Sequence, residues 1–438
     1  MPGDRVFRKN IRMRKAIVVG TGAGGATAAR ELQGSYDVTM LEAGGEFRPF
    51  SWNLSTVENL RKVGLMFDER EVLLLFPAMN VRKTSENMVL VKGIGVGGTT
   101  TIATGNGVRA DGALREAGIN LDREFDELER EIPISTLHQR GWRPVTRQLF
   151  EICREMDLDP KPLPKMGDNR LCINCGRCVL GCPRGAKWDS RRFVTGARAK
   201  GARLITRCSV ERVVVSGSRA VGVKARRGFR SVFIPADLVV LAAGGFGTPV
   251  ILQKSGIECE PRLFVDPVLV AAVRWKGAFQ NKEISMPFVV QKEGYIIAPY
   301  FDYLSFFFNR GWELPAEETL GLMIKIADAD RGSVSGGNID KVLSDRDRAR
   351  LKSGLDVCQA IFDRLGAGRL TIVPGTLNAG HPGGMLPLGA KEAETFHSER
   401  LPENLYVADA TLLPASPGKP PILTIMAMAK RVARICLQ

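Results

Sequence analysis

The stretch Lys15-Ala-Ile-Val-Val-Gly-Thr-Gly-Ala-Gly-Gly-Ala-Thr-Ala-Ala-Arg30 constrains this chain more than any other. Ala16 to Val19 are consecutive apolar residues and read as a buried parallel strand. Gly20, Gly22 and Gly25 then make G-x-G-x-x-G, and an alanine-rich helical run follows. Gly20 permits the tight turn, Gly22 lets backbone approach a pyrophosphate, and Gly25 lets helix pack on strand. Phosphates would sit over the free N–H groups of the helix N-terminus. Glycine-rich turns are common, so the triplet alone is a weak signal. Its setting strengthens it: the next strand, Asp37-Val-Thr-Met-Leu41, ends in Glu42, about twenty residues after the first glycine. A carboxylate there can take both hydroxyls of an adenosine ribose. The stretch predicts a dinucleotide site rather than an ordinary strand–turn–helix.

At 438 residues the chain is too long for one simple core, and two domains, interleaved in sequence, are expected. The hydrophobic and charged fractions are ordinary for a globular protein, and no apolar run approaches bilayer length. Residues 1–15 carry six Arg or Lys but no apolar segment, so no secretory signal and a cytoplasmic location are expected. Four of the nine cysteines fall in one tight group and five are scattered, which favours a metal site in a reducing compartment over a disulfide framework. The net charge of +15 is spread without a dense basic block, which argues against nucleic acid. An acidic protein partner, peripheral contact with an anionic membrane or a plain solvated surface accounts for it as well.

Further along, Lys92-Gly-Ile-Gly-Val-Gly-Gly-Thr-Thr-Thr-Ile102 offers a second surface for a phosphate or flavin through Gly97, Gly98 and Thr99, although a flexible loop would look the same. Asp122–Glu131 has helical charge patterning. Cys172, Cys175, Cys178 and Cys182 follow C-x2-C-x2-C-x3-C-P, the bacterial ferredoxin spacing. In two-cluster ferredoxins the fourth cysteine serves the other cluster, and no second run exists here. The fourth ligand is thus Cys182 or a remote residue such as Cys153 or Cys208. Zinc would accept four thiolates too, but its structural sites usually separate two C-x-x-C pairs widely, and free structural thiols are the remaining reading. Strand-like segments run from Arg203 to Ile234, and Asp237–Pro249 reads as a buried strand with a glycine turn. The aromatic run Tyr300–Phe308 reads as sheet core more than as a lipid-facing face. Asp340–Leu365 reads as an amphipathic helix, and a C-terminal helix begins near Pro421.

Together these landmarks resemble the glucose–methanol–choline (GMC) family of FAD-dependent oxidoreductases. The resemblance rests on the fingerprint with Leu41-Glu42-Ala43-Gly44, Gly97-Gly98-Thr99-Thr100, Leu241-Ala-Ala-Gly-Gly-Phe-Gly-Thr-Pro249, and the block from Tyr406-Val-Ala-Asp409 to Leu423-Thr-Ile-Met-Ala-Met-Ala429. It implies an α/β fold: a Rossmann-like FAD-binding domain (14–110, 190–261 and 375–438) interleaved with an α+β substrate domain (262–374) on a mostly antiparallel sheet. Residues 165–189 form the iron–sulfur segment, where cluster-bearing sugar dehydrogenases of the family carry their cysteines.

By the same resemblance His381, before a glycine-rich turn, takes the substrate hydroxyl proton as hydride leaves the carbon. A neutral imidazole suits that step. Asp409 and Pro421 lie against the cofactor, the helix after Pro421 pointing its N-terminus at the flavin. The family's second catalytic residue, Asn or His, is replaced by Pro420, with Lys419 beside it. Ile102 stands at the position of the covalent flavin histidine, which implies dissociable FAD. The expected enzyme oxidises an alcohol-type CH–OH donor with FAD and a 4Fe–4S or 3Fe–4S cluster that exchanges electrons with an acidic, ferredoxin-like partner. Two other readings use the same parts: a reductase saturating C=C bonds of an apolar, isoprenoid substrate, and a non-catalytic electron-transfer subunit.

Overall fold

The computed structural model describes residues 13–64, 76, 78–366 and 371–438, so most of the basic N-terminal stretch lies outside the described residues. In chain order, the elements that position the site are β1 (Lys15–Val19), α1 (Ala23–Leu32), β2 (Asp37–Leu41), the hairpin β3 (Met79–Lys83) and β4 (Val89–Gly93), then α2 (Gly244–Lys254), β5 (Val268–Arg274), β6 (Thr319–Ile326), β7 (Asn378–Ala379) and α3 (Ile422–Cys436).

Two sheets carry the fold. The first is parallel, in the order Leu405–Val407, Leu238–Leu241, β1, β2, Arg203–Ile205. β1 sits in its middle, which explains why Ala16–Val19 are apolar without alternation: both faces are covered. The sheet draws strands from both ends and the middle of the chain, as interleaving requires. The second sheet has nine strands, running β3, β4, β7, β5, β6, Tyr295–Pro299, Phe288–Lys292, Lys161–Pro162, with Val373–Pro374 beside β5. Its pairs are antiparallel except β7 with β4. Hairpin β3–β4, grouped by sequence with the FAD-binding segments, is hydrogen-bonded into this second sheet.

All eight residues of β6 are buried, because the sheet is covered on both faces. Leu322 and Ile324 join the core with Phe362 of helix Asp345–Leu365, while Met323, pointing the other way, packs with Phe306 and Phe307. The aromatic run is therefore core, yet it differs from a strand: Tyr303–Phe308 is a short helix, capped by the Asp302 carboxylate, which accepts from the Leu304 and Ser305 N–H groups. The helix expected from Asp340 begins at Asp345 instead. Asn338–Lys341 pairs with Gly332–Ser335, and Ser344 with Asp347 closes a capping box that sets the true start.

Candidate active site and the cysteine segment

One large cavity, about 540 Å³, gathers most of the predicted residues: Gly20, Gly22, Glu42, Gly98, Thr99, His381, Asp409 and Pro421 all line it. Three helices bring their N-terminal ends to it: α1 with Ala23 and Gly24, α2 with Gly244–Gly247, and α3 with Ile422 and Ile425. Free N–H groups and positive dipole ends converge there, a setting for phosphates and for an electron-rich ring. Gly20 has φ +95° and would drive a Cβ to 2.3 Å from the Ala242 carbonyl oxygen; on Gly98 (φ +52°) a Cβ would meet Gly22 Cα at 2.9 Å. The two glycine turns are thus one wall. Gly25 and Gly97 shape it from behind: a Cβ on Gly25 would strike the Gly20 carbonyl, and Gly97 has φ +96°.

Two buried carboxylates hold this wall together. Glu42 accepts from the Thr21 N–H (3.1 Å) and hydroxyl (2.6 Å) on one oxygen, and from Gly44 and Gly95 N–H (3.0 and 3.1 Å) on the other. With four donors its lone-pair positions are filled. The ribose contact expected of Glu42 requires an exchange, and the Thr21 hydroxyl is the donor that can rotate away. Asp409 accepts from Gly244 N–H (2.8 Å), Thr248 Oγ1 (2.5 Å) and Thr411 N–H (2.9 Å), pinning the start of α2. Burial raises both carboxyls above their usual range.

His381 follows β7, which the parallel register with β4 (Ala379 opposite Leu90) carries to the cavity. Its turn packs against α2: a Cβ on Gly245 would sit 2.0 Å from the Pro382 carbonyl oxygen. Burial, then the nearby Lys325 ammonium, hold the imidazole below its ordinary pKa, so it is neutral at pH 7. The other two histidines serve structure. His138 bonds Leu163 O and Trp142 Nε1, with its pKa pushed down to about 4 by burial, and His397 bonds Pro402 O.

Several residues at the site escaped sequence reasoning. Asn80, Arg82 and Lys92 share the cavity face of β3–β4, and neither cation forms an ion pair among the described residues. Asp266 and Lys325 stand behind His381. A lysine inside the apolar run Leu322-Met-Ile-Lys-Ile326 was the available signal, since a buried cation needs a partner. Lys419, beside Pro420, does not line the cavity and contributes its carbonyl, which accepts from Lys325 at 3.4 Å.

Cys172, Cys175, Cys178 and Cys182 surround a second, small cavity of about 40 Å³. All nine cysteines are free thiols. Cys153 and Cys208 are buried elsewhere, so Cys182 is the fourth thiol at this cavity. Lys165 and Lys187 line it too, buried and without ion-pair partners among the described residues. Lys187 donates through its N–H to Cys182 Sγ (3.5 Å) and through Nζ to Thr100 O and Thr101 O (2.7 and 3.0 Å), the turn that also borders the large cavity. Yet among the described residues no three or more His, Cys, Asp or Glu side chains are gathered closely enough to hold a metal ion. The donor set suits a cluster, but the side chains are not gathered in ligating positions: where the sequence predicts an iron–sulfur site, four thiols line a shared cavity.

The fold and cavity define a flavoprotein oxidoreductase of the dinucleotide-binding type. The chain belongs to the GMC oxidoreductase family, whose model matches residues 14–268, and is an FAD-dependent oxidoreductase. It is 30% identical to an uncharacterised GMC-type oxidoreductase of Mycobacterium tuberculosis, over 95% of this chain and 75% of that protein. Against the sinalpyl alcohol oxidase of Nesocodon mauritianus it is 27% identical, over 55% of this chain and 44% of the relative. The structure of pyridoxine 4-oxidase from Mesorbium loti has the same fold, with TM-score 0.71 and 17% identity over 96% and 98% of the two chains. No helix among the described residues is long and apolar enough to cross a membrane.

Proposed function

We propose that the chain is a dehydrogenase for an alcohol-type CH–OH donor, with His381 as the proton acceptor. The observation that carries this reading is the meeting of a neutral, buried histidine with three helix N-termini and two glycine turns on one cavity. FAD held there would supply a two-electron acceptor for the hydride of the substrate carbon. Gly20–Gly24 and Gly98–Thr99 would hold its phosphates against backbone, and Pro421–Ile422 would offer the end of α3 to the ring system. His381 accepts the hydroxyl proton through the nitrogen that opens to the cavity, so the alcohol oxygen gains electron density as hydride departs. Arg82 and Lys92 add positive charge for an anionic group of cofactor or donor. The alcohol oxidase among the relatives supports the donor class.

The four cysteines are assigned as the seat of an iron–sulfur cluster, a one-electron carrier serving an acidic, ferredoxin-like protein partner. Support comes from the ferredoxin spacing, the shared cavity, the two buried lysines that form no ion pair among the described residues and suit an anionic tetrathiolate group, and the common wall through Lys187 and Thr100. The aromatic run, which would suit the apolar substrate of the C=C reductase reading, packs beneath the second sheet and does not line the large cavity. Anaerobic assays decide between them. Turnover of alcohols with a dye acceptor is expected, with none for reduced dye and prenylated olefins. The reverse pattern would establish the reductase, and neither activity in FAD-loaded protein would leave an electron-transfer subunit.

A further inference from the structure

We propose that Asp266, held in place by Lys325, is a positioning residue that selects the tautomer of His381 and aims its basic nitrogen at the cavity. The proposal deepens the reading of His381 as proton acceptor and rests on it.

Asp266 lies between Phe264-Val265 and the start of β5, with no exposed surface and φ +53°. A left-handed backbone is uncommon for a residue with a side chain and persists where the surroundings over-determine it. They do so here. Its N–H donates to Asp328 Oδ1 at 2.9 Å, and Asp328 forms a fully buried pair with Lys341 at 2.7 Å. The Asp266 carboxylate then reaches three separate segments. Oδ1 accepts from the Gly418 N–H (3.2 Å) and the Ser416 hydroxyl, in the loop before α3. Oδ2 pairs with the Lys325 ammonium of β6 and stands 3.6 Å from His381 Nδ1.

His381 Nδ1 is sealed from solvent and has no hydrogen-bond partner, while the side chain keeps 26% exposure elsewhere on the ring. A separation of 3.6 Å is longer than a formed hydrogen bond. Such contacts in ligand-free sites often tighten when the complex forms. The choice of tautomer needs no tightening. An ionised carboxylate facing the Nδ1 lone pair repels it, whereas facing Nδ1–H it attracts. The proton therefore resides on Nδ1 and the lone pair on Nε2, the form a proton acceptor requires. Lys325 favours the ionised state of Asp266 and disfavours imidazolium at His381, so the two groups pull the histidine's proton affinity in opposite directions. Asp328 and Lys341 behind them cancel as a pair, and Lys92 on the neighbouring strand β4 adds a cation from the cavity side. A purely structural staple between β6 and the loop before α3 would leave the imidazole tautomer untouched.

The test is nitrogen-15 NMR of histidine-labelled FAD enzyme, where the chain's three histidines make His381 assignable through its loss in His381→Gln. Wild type is expected to show neutral Nδ1–H imidazole. In Asp266→Asn combined with Lys325→Met, which leaves no orphaned charge, FAD content should persist and the Nδ1–H form should lose its dominance. In that variant kcat should fall roughly 10- to 100-fold with KM little changed. The acid limb of kcat/KM should move down in pH for Asp266→Asn and up for Lys325→Met. An Nε2–H tautomer in wild type overturns the proposal whatever the variants do, as does wild-type kcat and tautomer in the double variant. Full turnover by His381→Gln would instead remove the proton-acceptor reading and leave the tautomer result standing.

Discussion

The two cavities on either side of the Thr100–Thr101 turn are built from different material. The larger is mostly backbone: glycine turns, helix ends and two carboxylates whose hydrogen bonds the protein itself fills. The smaller is side chain: four thiols and two buried lysines, with Asp168, the carboxylate on its lining, taken up by Arg170. A site made of backbone is finished when the chain folds. A site made of thiols and buried lysines is completed by what it binds, because burial disfavours the lysines' charged form until an anion joins them.

The sharpest way to break this comparison is to spoil one cavity and watch the other. Gly98→Val places a branched side chain at φ +52° and against Gly22 Cα. The strain should weaken FAD binding by about 3 kcal/mol or more, over 100-fold, with flavin absorbance lost from purified protein and iron retained at the cysteines. Cys175→Ser and Cys178→Ser should do the converse, removing iron while FAD stays, read by metal analysis beside the flavin spectrum. Full iron content in both variants would end the cluster assignment.

Glu42→Ala sharpens the comparison within the large cavity. It strips the acceptor that joins Thr21 to Gly44 and Gly95 and should cost about 1.5–3 kcal/mol of FAD affinity. Unchanged affinity by titration would mean that the two glycine turns hold each other without it.

The mildest effect falls beside the cysteine segment, where Tyr303 of the aromatic helix bonds Gly176 O at 3.4 Å. Burial pushes the Asp302 cap up to about 6. Its folded value lies above the unfolded one, about 3.9, so its stabilising effect is full below pH 4 and is lost as pH rises through 6, at most about 3 kcal/mol. Asp302→Asn keeps a capping oxygen without ionising. The variant should melt a few degrees above wild type at pH 8 and level with it at pH 4. Parallel melting curves at both pH values would show that the charge is not buried at a cost.

The parallel sheet was legible because its signals are local: an unbroken apolar strand, glycines at fixed offsets and an acid about twenty residues on. The same holds for His381, whose turn is glycine-rich on both sides. Asp266 and Lys325 were hidden because they lie 59 residues apart and meet only through β5–β6 pairing. The aromatic run misled on secondary structure since burial on a sheet leaves no period in so short a segment, and Asp302 alone marks the helix start. Cysteine spacing indicated which thiols share a cavity but not how far apart their sulfurs stand.

One measurement tests the central claim directly: anaerobic mixing of FAD-loaded enzyme with a panel of primary and secondary alcohols, followed at the oxidised flavin band. Wild type should bleach with at least one donor, and His381→Gln, at equal FAD content, should bleach roughly 100-fold or more slowly. Equal bleaching in the two proteins, or a folded chain that takes up no FAD at all, would contradict the account.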